Sequence, residues 1–143
     1  MTGRQEIERE ARLENLEELR EFVVKSCQEC GADESACGAL ELAVDEVCAN
    51  LVMHGYKDMQ PGPIRLAVAC DDERAEVTIV DFGHAFSPDD IPEPDITAGW
   101  EDVSVGGLGW HLIRQTMDEI EYKADSAEGN RLTLRKRLHP NGS

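Results

Sequence analysis

Gly106-Gly107-Leu108-Gly109-Trp110-His111-Leu112-Ile113 sets three glycines directly ahead of an apolar, helix-patterned segment. Glycine permits positive φ and close backbone approach, and the first turn of a helix leaves N–H groups unpartnered under a partial positive charge. The stretch therefore offers bare main-chain donors to a phosphate. A Gly-rich turn before a helix is also common geometry, so its meaning depends on two other features. These are an acid and an amide one helical turn apart, Glu46 and Asn50, and a strand that ends in Asp81-Phe82-Gly83.

The helix that begins near Gly107 is predicted to turn Leu108, Leu112, Ile113 and Met117 inward. Ile120, Tyr122 and Ala124 then alternate, Glu128-Gly129-Asn130 supplies a turn, and Leu132, Leu134 and Leu138 close a hairpin. Upstream, Ile64, Leu66, Val68 and Cys70 alternate, as do Ala75, Val77 and Ile79, with Asp71-Asp72-Glu73-Arg74 between them. That pattern is a second hairpin, and it leaves Asp81 at a strand end. Residues 84–105 show little periodicity and carry three prolines, so they read as a loop of the length typical of lids.

Leu16, Leu19, Val23, Cys27 and Cys30 recur at helical spacing, predicting an amphipathic helix over residues 13–30 that stops at Gly31. Asp33 is placed to cap a second helix with Ala36, Leu40, Ala43, Val44, Val47 and Leu51 as its apolar stripe, running to about His54 and stopping near Gly55. Residues 4–11 alternate poorly and fit a short edge strand. Each helix must bury one stripe and the strands are mostly joined as hairpins. The economical packing is α+β, with three helices on one face of a mixed, mostly antiparallel sheet.

The 143 residues fit one domain, 1–143. Hydrophobic residues make up 41% and charged residues 31%, which places the chain among soluble globular proteins rather than disordered ones. No apolar run approaches the ~20 residues needed to span a bilayer, and the N-terminus lacks a secretory pattern, so a cytoplasmic protein is expected. The net charge of −16 repels phosphate backbones and anionic lipid. Nucleic acid and membrane are thus disfavoured partners, whereas a basic protein surface is favoured. The basic residues Arg131, Arg135, Lys136 and Arg137 fit the solvated face of a last strand. Cysteines 27, 30, 37, 48 and 70 form an odd set without the spacing of a disulfide framework. Cys27 and Cys30 lack a second ligand pair for zinc, so packed thiols in a reducing compartment are expected.

Glu46 and Asn50 project from one face of the second helix, beside its buried stripe. A carboxylate and an amide oxygen there suit Mg²⁺ carrying phosphate oxygens, because that ion keeps several waters and needs one or two protein oxygens. Asp81 offers an acceptor to a ligand donor, and Gly83 admits close approach of something flat.

Together these residues carry a family resemblance. Glu46-Val47-Cys48-Ala49-Asn50, followed by His54-Gly55-Tyr56, resembles the N box of the GHKL ATP-binding superfamily. Asp81-Phe82-Gly83-His84-Ala85-Phe86 resembles its first glycine box and Gly106-Gly107-Leu108-Gly109 its second. Within that superfamily, the length and element order are similar to the bacterial anti-sigma-factor serine/threonine kinases over about residues 13–138. The resemblance implies a two-layer α/β sandwich holding ATP and Mg²⁺ between the helices and a lid at 84–105. It implies that Asn50 ligates Mg²⁺, Asp81 accepts from the adenine amino group, Gly83 flanks the base, and Gly106, Gly107, Leu108 and Gly109 wrap the phosphates. Glu46 becomes the general base that takes the proton of a protein serine or threonine. The implied substrate is an anti-anti-sigma protein, the second partner a sigma factor, and the assembly a homodimer.

The chain departs from the family pattern in three ways. Ala85 replaces a common glycine, and Asn130 and Arg131 follow Gly129 where a threonine usually helps hold adenine through water. No Lys or Arg lies between Arg74 and Arg114, so the expected lid brings no cation to the γ-phosphate. This last feature keeps an alternative in play, a non-catalytic module in which nucleotide gates a protein-binding surface. A sensor histidine kinase fragment fits less well, because little chain precedes the second helix to supply a phosphoacceptor hairpin.

Overall fold

The computed structural model describes residues 2–84, 107–125 and 127–139. Its elements are β1 (Thr2–Glu10), α1 (Leu16–Glu29), α2 (Glu34–Asn50), β2 (Pro63–Cys70), β3 (Arg74–Asp81), α3 (Gly107–Thr116), β4 (Glu119–Asp125) and β5 (Gly129–Arg137). A short 3₁₀ turn, Leu13–Asn15, precedes α1, and a π-helical turn, Leu51–Gly55, prolongs α2. The five strands lie in the order β1-β2-β3-β5-β4, and each of the four ladders is antiparallel. The expected lid, 84–105, lies outside the described residues apart from His84, as does Gly106.

Helix ends follow the local chemistry of the sequence. Cys30 closes α1, Gly31 follows with φ 84°, and the Gly31 and Ala32 N–H groups donate to Gln28 and Cys27 carbonyls at 3.0 and 3.1 Å. This pair of bonds satisfies carbonyls that α1 would otherwise leave open, and the left-handed φ suits glycine. The Asp33 carboxylate accepts from Ala36 N–H at 2.8 Å, capping α2 as its position predicts.

The core lies between the helices and one sheet face. Leu19, Val23 and Cys27 from α1 and Leu40, Ala43, Val44 and Val47 from α2 meet Ile64, Leu66, Val68, Val77, Ile79, Leu132 and Leu134 from the sheet. In α3 the inward face is Trp110 and Ile113, with Met117 just beyond the helix, and Leu112 is 38% exposed. The expectation that Leu112 points inward is therefore corrected. Residues 110, 113 and 117 are three and four apart and share a face, whereas 112 sits about 100° round the helix from 113.

Two further expectations change. Lys136 shares the helix-facing side of β5 with Leu132 and Leu134, is 8% exposed, and donates through Nζ to the Thr116 carbonyl. Its charge thus sits at the C-terminal end of α3, where carbonyls lack partners and a cation is favoured, instead of on a solvated face. Cys30 and Cys70 form a disulfide with Cα atoms 6.0 Å apart, so the expectation of packed thiols holds for Cys27 and Cys48 but not for this pair. The turn after α1 lays Cys30 against the last residue of β2. Burial pushes the Cys27 and Cys48 thiols up to about 12, which keeps them protonated and inert. No helix among the described residues is long and apolar enough to cross a membrane.

The bridge closes a span of 40 residues. Its reduction, or Cys70→Ser, is expected to lower unfolding stability by about 2–4 kcal/mol. Urea melts with and without reductant measure this, and coincident midpoints would contradict it.

Candidate functional site

Strand alternation carries the core stripe into a polar pair. Val77 and Ile79 face the helices, so Asp81, two residues further, faces them too; Leu134 and Leu132 place Asn130 on the same side. Asp81 and Asn130 are direct partners across β3 and β5 and are only 6% and 7% exposed. The Asn130 Nδ2 donates to Asp81 Oδ1 at 3.1 Å and to the Gly83 carbonyl at 3.0 Å. Gly83 N–H donates to the same Asp81 Oδ1 at 2.9 Å. Burial raises the Asp81 carboxyl above the usual carboxylate range, and the bonds from Asn130 and Gly83 oppose that rise.

The turn after Asp81 is clasped by the end of the α2 extension. His84 N–H donates to the Gly55 carbonyl at 2.8 Å. A Cβ on Gly83 would lie 2.1 Å from that carbonyl oxygen, so only glycine admits the contact. The Tyr56 hydroxyl donates to the Pro63 carbonyl at 2.6 Å and accepts from Phe82 N–H at 2.8 Å. One phenol thereby ties the start of β2 to the end of β3, and burial shifts its ionisation upward. The Phe82 ring carries the Arg65 guanidinium 5.1 Å from its centroid.

Glu46 and Asn50 lie one turn apart on α2, both half-buried, with Val47 and Cys48 between them turned into the core. Neither side chain makes a hydrogen bond or ion pair among the described residues, which leaves both oxygen sets free for a ligand. Asn50 is the last residue before the π-helical turn, a distortion that recurs at functional sites. The helix carrying this pair packs directly against α3, whose first residues are Gly107, Leu108 and Gly109. α3 starts inside the glycine stretch, at Gly107, so its first-turn N–H groups are the ones the sequence offers as donors, while Gly106 falls outside the described residues.

The structure thus joins Asp81 to Gly83 and brings the helix of Glu46 and Asn50 against the helix that starts in the glycine stretch. Sequence reasoning did not assign the Gly55 carbonyl, the Tyr56 hydroxyl or the Asn130 amide. Continuing the two-residue alternation from Ile79 to Asp81 and from Leu132 back to Asn130 would have put both polar side chains on the core-facing side. A glycine at 62 was also a signal, since a Cβ there would lie 2.6 Å from the Tyr56 ring.

Comparison with known proteins bears on this arrangement. A family model described as Histidine kinase-like ATPase domain matches residues 9–136. The Serine-protein kinase RsbW of Bacillus subtilis is 32% identical over 93 residues, covering 61% of this chain and 57% of its own length. That of Bacillus pumilus is 36% identical over 93 residues with the same coverage. The Anti-sigma F factor of Heyndrickxia coagulans is 27% identical over 100 residues, covering 68% of this chain and 67% of its own. The chain spans 55–57% of the length of the RsbW relatives it matches. A solved structure of the RsbU and RsbW domains of Rv1364c from Mycobacterium tuberculosis superposes with a TM-score of 0.67 at 22% identity, covering 95% of this chain and 32% of that one. It shares the fold.

The clasp can be tested by substitution. Gly83→Ala drives a methyl group into a backbone carbonyl, where no side chain can yield, and is expected to cost at least about 2 kcal/mol. Tyr56→Phe strands the Phe82 N–H and is expected to cost about 1–3 kcal/mol. Urea unfolding of both variants measures the losses, and wild-type midpoints would show the clasp to be incidental.

Proposed function

The chain belongs to the histidine kinase-like ATPase domain family, and from that premise we propose that it is an ATP-dependent serine/threonine protein kinase acting as an anti-sigma factor. The observation that carries the reading is the free carboxylate and amide pair, Glu46 and Asn50, on a helix packed against the glycine-started α3. The names Serine-protein kinase and Anti-sigma F factor borne by similar proteins support it. Its substrate would be an anti-anti-sigma protein, its second partner a sigma factor, and its assembly a homodimer.

The residues present fit a nucleotide. Asp81 keeps one carboxylate oxygen without a protein donor among the described residues, on a carboxylate whose other oxygen is held by Gly83 N–H and Asn130. In this reading Asp81 accepts from the adenine amino group, Gly83 flanks the base, and the α3 N-terminus with Gly106, Gly107, Leu108 and Gly109 receives the phosphates. Asn50 offers an amide oxygen to Mg²⁺, an ion that, when bound, neutralises phosphate charge. Glu46 takes the proton from the substrate hydroxyl as its oxygen bonds to the γ-phosphorus and the bond to ADP breaks. Phosphorylating the anti-anti-sigma protein would leave the kinase free to hold the sigma factor.

One feature favours a second reading. No Lys or Arg lies between Arg74 and Arg114, so a nucleotide-gated binding module without transfer remains the competing function. Substitution separates the two. Glu46→Gln is expected to keep Mg-ATP affinity while cutting phosphate transfer to the anti-anti-sigma protein by about 10²–10⁴-fold. Asn50→Ala is expected to weaken Mg-ATP binding by about tenfold or more, about 1.4 kcal/mol. Labelled-ATP transfer assays and calorimetry read both; transfer by Glu46→Gln at the wild-type rate would remove Glu46 as the base. Binding without transfer in the wild type would favour the module.

A further inference from the structure

We propose that Asn130 is the positioning residue of the base site: its amide clamps Asp81 and the Gly83 turn and leaves only acceptors facing the base. The inference rests on the reading of Asp81 as the acceptor for a purine amino group. Both Asn130 bonds run to oxygens, Asp81 Oδ1 and the Gly83 carbonyl, which can only accept from it. The amide must therefore present its NH₂ to both, and its orientation is settled by the network.

The Asp81 Oδ1 is held by two donors, Asn130 Nδ2 and Gly83 N–H, so the plane of the carboxylate is fixed relative to the turn. Its Oδ2 and the Asn130 Oδ1 accept no hydrogen bond among the described residues. The two amide hydrogens are spent within the protein, so this pair offers acceptors and no donor to a ligand. A purine with a 6-amino group sets a donor at that position, whereas a 6-oxo purine sets a third acceptor there and moves its donor to N1, out of line with an edge fixed for a 6-amino group. In a site this buried, an acceptor set against acceptors is costly.

The cross-strand register makes the clamp part of the fold. Asn130 faces Asp81 directly, and Gly129 before it adopts φ 85°, where a Cβ would lie 2.7 Å from the Asp81 carbonyl. The turn into β5 can thus bring the amide under Asp81 only with glycine at 129.

The experiment compares Mg-ATP with Mg-ITP, which carries a 6-oxo group, by calorimetry on the full chain. The wild type is expected to prefer ATP. In Asn130→Ala the ATP affinity is expected to fall at least about tenfold while that for ITP changes less than about threefold, collapsing the preference. Asn130→Ser, which retains one donor, is expected to give an intermediate ratio and serves if the alanine variant does not fold. Urea melts establish which variants are folded. A folded variant with the wild-type ATP-to-ITP ratio, or with both affinities reduced equally, overturns the clamp and leaves nucleotide binding standing. A wild type that binds neither nucleotide overturns the base-site reading itself and the clamp with it.

Discussion

The Gly55 carbonyl, pressed against Gly83 and bonded to His84 N–H, joins the helical layer to the end of the sheet. Everything proposed for the site depends on this contact, because it sets where the extension of α2 ends relative to Asp81. Without it the turn after β3 would be an ordinary strand end. Tyr56 adds a second tie, from Phe82 to Pro63, and Gly62 makes room for its ring. Three main-chain segments are thereby held by groups that cannot rearrange independently.

Around that clasp the energetics divide by face. On β2, β3 and β5 the helix-facing side is apolar until the strand ends, where Lys136 stands at one end and Asp81 and Asn130, bonded to each other, stand at the other. The outer face carries ion pairs such as those of Arg135 with Glu119 and Glu121, both at 3.0 Å. Exposed pairs of this kind contribute little to stability, so the fold rests on the buried aliphatic layer and on the Cys30–Cys70 bridge. The acid excess of the whole chain suits a basic protein surface better than a nucleic acid.

Much of the architecture was legible because period and capping agree. Leu19-Val23-Cys27 and Leu40-Val44-Val47 place two helices, Asp33 and Gly31 mark their ends, and the alternations around Leu66, Val77 and Leu134 place the hairpins. Other features depend on geometry that a linear pattern does not carry. Leu112 is apolar yet lies off the buried face, because Trp110 and Ile113 take it. Lys136 looks like a surface cation but serves the end of α3. Cys30 and Cys70 are 40 residues apart, and only the packing of α1 over β2 makes them neighbours. In the site, the glycine and acid motifs were visible one by one. The main-chain carbonyl of Gly55 and the Asn130 amide were not, since each acts through a contact between distant segments.

In the proposed complex a purine sits at the Asp81–Asn130 pair with its phosphates at the start of α3. A crystal structure grown with Mg²⁺ and a non-hydrolysable ATP analogue tests it most directly. The expected result is the adenine amino group within hydrogen-bonding distance of Asp81, the phosphates against the first turn of α3, and Asn50 on the metal. A nucleotide seated on the outer sheet face, or a base turned away from Asp81, would contradict it.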